Sequence, residues 1–382
     1  MRFHIAKRIL FYITACIVIT SCNDDTTVLS DQNTLYEPLS ISTLILTEAS
    51  LTRTSLLQSE GAVTGTTLFA GSRMGVTLTP ASLETRALPV VGIPADNSSN
   101  LQWVNNGDAT NQKWQYISPE GVVEPYLLDE KRMNIFAYYP YDPKFTLLNG
   151  YDASGQQFPA IEIRPGYKDF LYGKGLTPVN SRQPVSAITL NHAMAMISFV
   201  FSNDASYRGP CVLQSLVVKN IPQQALMTLN DGTITSQSSQ GDSEIRYYDR
   251  TLKKYYPVFN GSEYWIRFKD EPNFGITSMP QAGTSLEEIS NFHLFVIPSE
   301  ATSSVGENNV YLEIKIDNIL YTIPFPNDRT LTNGVRGFTW KKGVNSLYRI
   351  TLTKNNVLLT YLLDDYEPGG NPDFDFGRLV NY

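Results

Sequence analysis

The residues that most often carry catalysis are scarce in this chain: 382 residues hold three cysteines and three histidines. His4, His192 and His293 lie far apart, so no zinc-type spacing forms, and neither a nucleophile elbow nor a phosphate-binding glycine loop occurs. Lysine and arginine never run beyond adjacent pairs. Nucleic acid is thereby excluded as a partner, because a phosphate backbone needs grouped positive charge. A membrane-spanning helix is also missing: the apolar run Ile9–Thr20 has twelve residues, whereas a span needs about 20. Helix signals reduce to one short capping box, Ser285-Leu286-Glu287-Glu288.

What the chain does have begins at its N-terminus. Arg2, Lys7 and Arg8 precede the apolar run, and Ile19-Thr20-Ser21-Cys22 follows. This is the layout of a cleaved targeting segment, residues 1–21. The last four residues resemble the bacterial lipobox, whose cysteine carries the lipid. Ile13-Thr14-Ala15-Cys16 fits the same pattern, but only four apolar residues precede it and more follow. Cys22 is therefore the expected lipidation site. The next residues, Asn23-Asp24-Asp25, resemble the acidic export tag of lipoproteins on the outer face of the Bacteroides-type outer membrane. Without residues 1–21 the chain keeps 27 basic and 37 acidic residues, a net charge of −10. Membrane association then rests on acyl chains, palmitate among them, and two or more chains anchor stably.

Cys211 is the remaining thiol, and one thiol cannot form an internal disulfide. Flanked by Val212-Leu213, it reads as a small core hydrophobe. The 361 residues beyond the targeting segment exceed what one core usually supports, so two domains are expected. Strand signals dominate both. Val310, Leu312, Ile314 and Ile316 alternate with Tyr311, Glu313, Lys315 and Asp317, and similar runs cover Met74–Leu78, Trp114–Ile117, Met133–Tyr139, Val212–Val218, Tyr264–Phe268, Phe292–Ile297, Leu320–Ile323, Leu347–Leu352 and Val357–Leu363. Asn106-Gly107, Asn149-Gly150, Asn230-Asp231-Gly232 and Asn260-Gly261 read as the turns between strands. Many short strands joined by turns predict an all-β fold of two tandem antiparallel β-sandwich domains. The boundary falls in Gly173–Pro184, dividing residues 54–184 from 185–382. In the long run Ala187–Phe201 the apolar parity switches near Met196, which predicts a bulge. His192 lies on the apolar side of that run and reads as a hydrogen-bonded core histidine.

Three segments, Phe136-Ala137-Tyr138-Tyr139-Pro140-Tyr141, Lys168-Asp169-Phe170-Leu171-Tyr172-Gly173 and Leu190-Asn191-His192-Ala193-Met194-Ala195, resemble successive landmarks of the fimbrillin-like (Mfa-like) pilus subunits of Bacteroides-type bacteria. The lipobox, Thr52-Arg53-Thr54 ahead of Thr66–Phe69, and Trp340-Lys341-Lys342-Gly343 before Leu347–Leu352 extend the likeness over nearly the whole chain. The resemblance implies transthyretin-like sandwiches and export as a lipoprotein. It also implies assembly outside the cell by strand exchange, in which an arginine-specific protease removes the first strand and a neighbour's C-terminal segment replaces it. In residues 22–53, Leu39, Ile41, Thr43 and Ile45 alternate with Ser40, Ser42 and Leu44 ahead of Arg53, the expected processing site. Arg73 and Arg86 compete with it. The tail 366–382, with Phe374 and Phe376 alternating with Asp373 and Asp375, has the pattern of a donor strand.

The implied partners are other fimbrial subunits by strand exchange, the outer membrane through lipid on Cys22, and a surface glycan or protein of a host or bacterium. The expected location is the cell surface and its fimbriae. No catalytic residue, cofactor or metal is expected: Glu287-Glu288 and Asp364-Asp365 are adjacent rather than facing, and Asp364-Asp365-Tyr366-Glu367 lacks calcium-loop spacing. A second reading, a surface glycan-binding lipoprotein of a polysaccharide-uptake system, rests on 44 aromatic residues, with Trp103 and Trp114 the candidates for an exposed sugar-stacking platform. Cys22→Ser should abolish incorporation of labelled fatty acid, and label persisting on that variant would refute the lipidation site.

Overall fold

The computed structural model describes residues 36–45, 68, 70–81, 100–107, 112–145, 147–204, 206–237, 240–249, 254–258, 291–327, 329–331 and 333–363. Cys22, Arg53, Arg86, the expected strand Tyr264–Phe268, the capping box at Ser285 and the tail 366–382 lie outside them. The described residues contain β-strands and no helix.

The first part of the chain forms an eight-stranded sheet in the order Ser40–Ile45, Val185–His192, Leu171–Gly175, Met133–Tyr139, Arg73–Pro80, Leu101–Asn105, Trp114–Ile117, Val123–Glu124. Glu37–Pro38 pairs separately with Leu127–Leu128. Inward residues of these strands, among them Met74, Val76, Leu78, Trp103, Tyr116, Ile135 and Leu190, make one core. The second part forms a six-stranded sheet, Lys254–Tyr256, Arg246–Asp249, Phe292–Val296, Ala195–Asn203, Asn345–Leu352, Val357–Leu363. A four-stranded sheet accompanies it, Gln240–Glu244, Leu213–Pro222, Tyr311–Ile316, Ile319–Pro324, with the small sheet Ser299–Ala301, Arg336–Trp340, Arg329–Thr330. Their shared core, largely aliphatic, holds an aromatic group: Trp340 lies 4.6 Å from Phe338 and 5.2 Å from Phe325 between ring centroids, and its indole N–H donates to the Tyr348 hydroxyl at 2.9 Å.

A third core lies between the other two. Phe136, Tyr138, Ile161, Ile163 and Tyr172 from the first part pack with Met194, Met196, Ala225, Met227 and Phe295 from the second. A sheet bridges them, because Gln157–Ile163 pairs antiparallel with Ala225–Thr228 in the order Ile234–Gln237, Ala225–Thr228, Gln157–Ile163, Leu148–Tyr151. At its rim the Asp231 carboxylate accepts from the Thr228 hydroxyl at 2.7 Å, the Thr233 N–H and hydroxyl at 2.9 and 2.8 Å, and the Ala153 N–H at 3.1 Å. Lys342 donates to the Gly232 carbonyl at 3.1 Å and lies 5.4 Å over the Tyr172 ring. Burial lowers the pKa of this lysine and raises that of Tyr172 to about 12.

Most expected strands appear within a residue or two of their predicted bounds. The run Ala187–Phe201 departs from its expected form. It is two strands in two sheets, Val185–His192 and Ala195–Asn203, rather than one bulged strand. Its parity switches because its residues serve different cores in turn, Ile188 and Leu190 the first, Met194 and Met196 the third, Ile197, Phe199 and Phe201 the second. Val185–His192, beyond the expected boundary, thus pairs into the first sheet. Asn149-Gly150 lies inside the strand Leu148–Tyr151 instead of forming a turn. Asp317-Asn318, with φ of 49° and 65°, makes an unanticipated hairpin turn. Gly173 and Gly175 start no linker: they sit in the strand Leu171–Gly175, where a Cβ on Gly173 would come 2.0 Å from the Thr189 carbonyl oxygen.

For Asp231, burial raises the carboxyl pKa, but its four hydrogen bonds outweigh that and hold it at about 2. The folded value lies below the ordinary value of about 4, so these bonds stabilise the fold above pH 4 and lose effect as pH falls towards 2. Urea midpoints should show this fall in the wild-type chain and its absence in Asp231→Asn, which should be less stable than wild type above pH 4. Parallel pH profiles would contradict it.

Candidate functional site: the seam of the first strand

The first strand, Ser40–Ile45, is an edge strand whose alternation matches its place. Leu39 and Ile41 are buried in the first core at 6% and 5% exposure, Thr43 is half-buried, and Ser40, Ser42 and Leu44 face solvent. It pairs parallel to Val185–His192 in the register Val185↔Ser40 to Leu190↔Ile45. Just before it, the Leu39 N–H donates to the Tyr126 carbonyl at 2.9 Å; the Ser40 N–H donates to the Pro184 carbonyl at 2.8 Å.

Its opposite edge meets side chains where a further strand would lie. The Trp114 indole N–H donates to the Thr43 hydroxyl at 3.1 Å. The Gln112 amide turns its nitrogen to the Thr43 hydroxyl and to the Thr43 carbonyl, the latter at 3.1 Å, while its oxygen accepts from the Leu68 N–H at 3.1 Å. This orientation gives both ends of the amide a main-chain partner, whereas the reversed one sets the oxygen 3.3 Å from the Trp114 indole N–H but turns the nitrogen, itself a donor, against the Leu68 N–H. Asn105, fully buried, fixes the loop that carries Gln112: its side-chain oxygen accepts from the Gly107 N–H at 3.0 Å and the Lys113 N–H at 2.9 Å, and its nitrogen donates to the Leu68 carbonyl at 2.9 Å. Sequence reasoning missed Gln112, Asn105 and the part played by Thr43. The one local signal was Asn106-Gly107, which identifies a turn but not what the turn holds.

The strand thus joins the core by a one-sided ladder, two buried aliphatic side chains and a small polar cluster. The aliphatic pair contributes about 1.5–3 kcal/mol per side chain. A strand so held is part of the core, yet its loss would break only one ladder.

The remaining candidates fall into place around this seam. Arg73 opens the strand Arg73–Pro80, pairs with Val104 and accepts through its carbonyl from the Tyr141 N–H at 2.9 Å, so its backbone is not an open protease loop. Trp103 and Trp114 are 1% and 6% exposed within the first core and form no sugar platform. His192 is buried, with Nδ1 2.5 Å from the Asp169 carboxylate. The pair links two of the landmark segments beside the cis Tyr139-Pro140 bond of a third, since Leu171 lies opposite both His192 and Tyr139. His293 is buried against the Tyr255 hydroxyl at 2.7 Å. The Cys211 N–H donates to the Asp317 carboxylate at 3.0 Å, and its side chain is fully buried. Among the described residues no group of three His, Cys, Asp or Glu side chains could hold a metal ion.

The described residues form an all-β arrangement without a metal cluster, and the comparisons define its class. The fimbrillin-like family model matches residues 63–362, so the chain belongs to the fimbrillin-like family. No curated protein matches it. Similar solved structures include a candidate cell adhesion protein of Bacteroides ovatus (14% identity, TM-score 0.48, 86% of this chain and 99% of that one). A fimbrial protein of Bacteroides vulgatus shares 13% identity at a TM-score of 0.42, covering 86% of this chain and 99% of that one. The tip fimbrial protein Mfa3 of Porphyromonas gingivalis, with C-terminal truncation, shares 10% at 0.38, covering 86% and 100%.

Ile41→Ala should lower stability by about 2–4 kcal/mol in urea unfolding, and Leu44→Ala, on the exposed face, by under about 0.5 kcal/mol. Equal effects would mean that the strand is not seated as described.

Proposed function

We propose that the protein is an adhesive structural subunit of cell-surface fimbriae, without catalysis of its own, carried to the outer membrane by lipid on Cys22. Its two sandwiches are transthyretin-like, and assembly proceeds by strand exchange once cleavage after Arg53 frees the first strand. The observation that carries this reading is the seam. A strand that precedes Arg53 in the chain lies at a sheet edge with Leu39 and Ile41 in the core and only one ladder of its own. Family membership supports the fimbrial setting. Cleavage would end the tether that gives the strand its high effective concentration, so a neighbour's strand could take its place. The tail 366–382 is the segment this chain would offer to another subunit.

The glycan-binding alternative loses its support where Trp103 and Trp114 enter the core. Intact mass of the protein taken from the native outer surface should show a chain beginning just after Arg53 in assembled material and a lipidated Cys22 in the unprocessed form. Arg53→Ala should keep the first strand and stay out of denaturant-resistant ladders on cells. Entry of that variant into ladders at the wild-type level would refute the processing site.

A further inference from the structure

The seam does more than accommodate any amphipathic strand. Read along the first strand, its inward positions are two aliphatic side chains, Leu39 and Ile41, then the hydroxyl of Thr43. At the third position the hydroxyl accepts from the indole N–H of a tryptophan that is 6% exposed and from the Gln112 amide nitrogen, which also donates to the main-chain carbonyl and is oriented by its oxygen's bond to the Leu68 N–H. Asn105 anchors the loop next to Gln112 through the Lys113 N–H, so this donor pair belongs to the acceptor side of the seam and stays when the strand leaves. An occupant without a hydroxyl here leaves the buried Trp114 indole N–H without this partner, while the Gln112 nitrogen keeps the main-chain carbonyl that any strand brings.

We propose that the Trp114 indole N–H, with Gln112 holding the strand's main-chain carbonyl beside it, acts as a selectivity filter for the incoming strand, admitting segments of the pattern aliphatic-x-aliphatic-x-Ser/Thr. The proposal rests on the strand-exchange reading and names the kind of partner strand it requires. The order of the subsites also sets direction, because reversing the strand places the hydroxyl beside the aliphatic end. The chain's own tail is a poor match. In the register of Phe374 and Phe376 it brings Arg378, a pure donor, against the two donors. Shifted to place Asn381 there, it puts Leu379 at the second site but only Gly377 at the first. The occupant is therefore a strand from a different subunit, and this chain's tail serves a seam other than its own.

The test uses the full chain cleaved after Arg53 and freed of its first strand in mild denaturant, with labelled synthetic peptides read by fluorescence anisotropy. A peptide of residues 36–46 should bind, and its Thr43→Ser form should bind within a few-fold. The Thr43→Val form, similar in shape but without the oxygen, should bind roughly 10- to 100-fold more weakly, as should a peptide of residues 371–382. Equal binding by the Thr and Val peptides overturns the filter and leaves strand exchange standing. Binding by the tail peptide as tight as that of residues 36–46 overturns the assignment to a different subunit. Failure of every peptide refutes strand exchange at this seam and the filter with it. In the uncut chain Thr43→Val should lower the urea midpoint while Thr43→Ser leaves it near wild type, and equal midpoints would again overturn the filter.

Discussion

One stretch of chain, Val185–Asn203, is the constraint on which the rest of the molecule depends. Its first half is the strand against which Ser40–Ile45 pairs, its middle residues Ala193, Met194 and Met196 enter the third core, and its second half pairs parallel with Asn345–Leu352 inside the second. Because the backbone between them is continuous and its register is fixed on both sides, none of the three cores can shift without moving another. The buried His192–Asp169 pair stands where Val185–His192 ends and the crossing begins, with Gly343 N–H donating to the Met194 carbonyl at 2.9 Å just beyond.

Against that rigid crossing, the attachment of the first strand has little redundancy. The inner strands of the eight-stranded sheet have a ladder on each side, and Ser40–Ile45, at the edge, has one. Side chains replace the missing neighbour, and they do so with hydrogen bonds whose worth lies mainly in the penalty for breaking them. A typical bond contributes about 1 kcal/mol net, while a buried donor left without a partner costs about 1–3 kcal/mol. Apolar burial therefore supplies most of the strand's hold, and the polar cluster supplies discrimination. The opposite arrangement is seen at the junction of the two parts, where a shared sheet, the Asp231 cluster and Lys342 over Tyr172 bind two segments that are to stay together.

Much of this was legible in the residues. Period-two alternation located Trp114–Ile117, Met133–Tyr139 and Val357–Leu363 at their observed bounds, and the parity of Leu39 and Ile41 gave the inward face of the first strand. His192 on an apolar face was rightly a paired core residue. The failures have physical causes. Glycine in Leu171–Gly175 signals a linker by composition, but at Gly173 it is required because a neighbouring carbonyl leaves no room for a side chain. Asn149-Gly150 has turn chemistry, yet pairing with Pro159 and Phe158 holds it extended. A parity switch in a long apolar run is the same in sequence whether the strand bulges or changes partners, so Ala187–Phe201 was misread.

The sequence by itself determined that the regular structure of the described residues is strand without helix, which face of the first strand is apolar, and that its landmark segments are those of a fimbrillin-like chain. These follow from spacing along one strand or one motif, where cause and effect lie within a few residues. The tertiary structure alone decided that Trp103 and Trp114 are core rather than platform, that Asp169 meets His192, and that Gln112 and Asn105 stand beside Thr43. Each of these depends on which strands become neighbours across a sheet or a seam. That choice is made by the packing of whole faces against one another, and no local pattern encodes it.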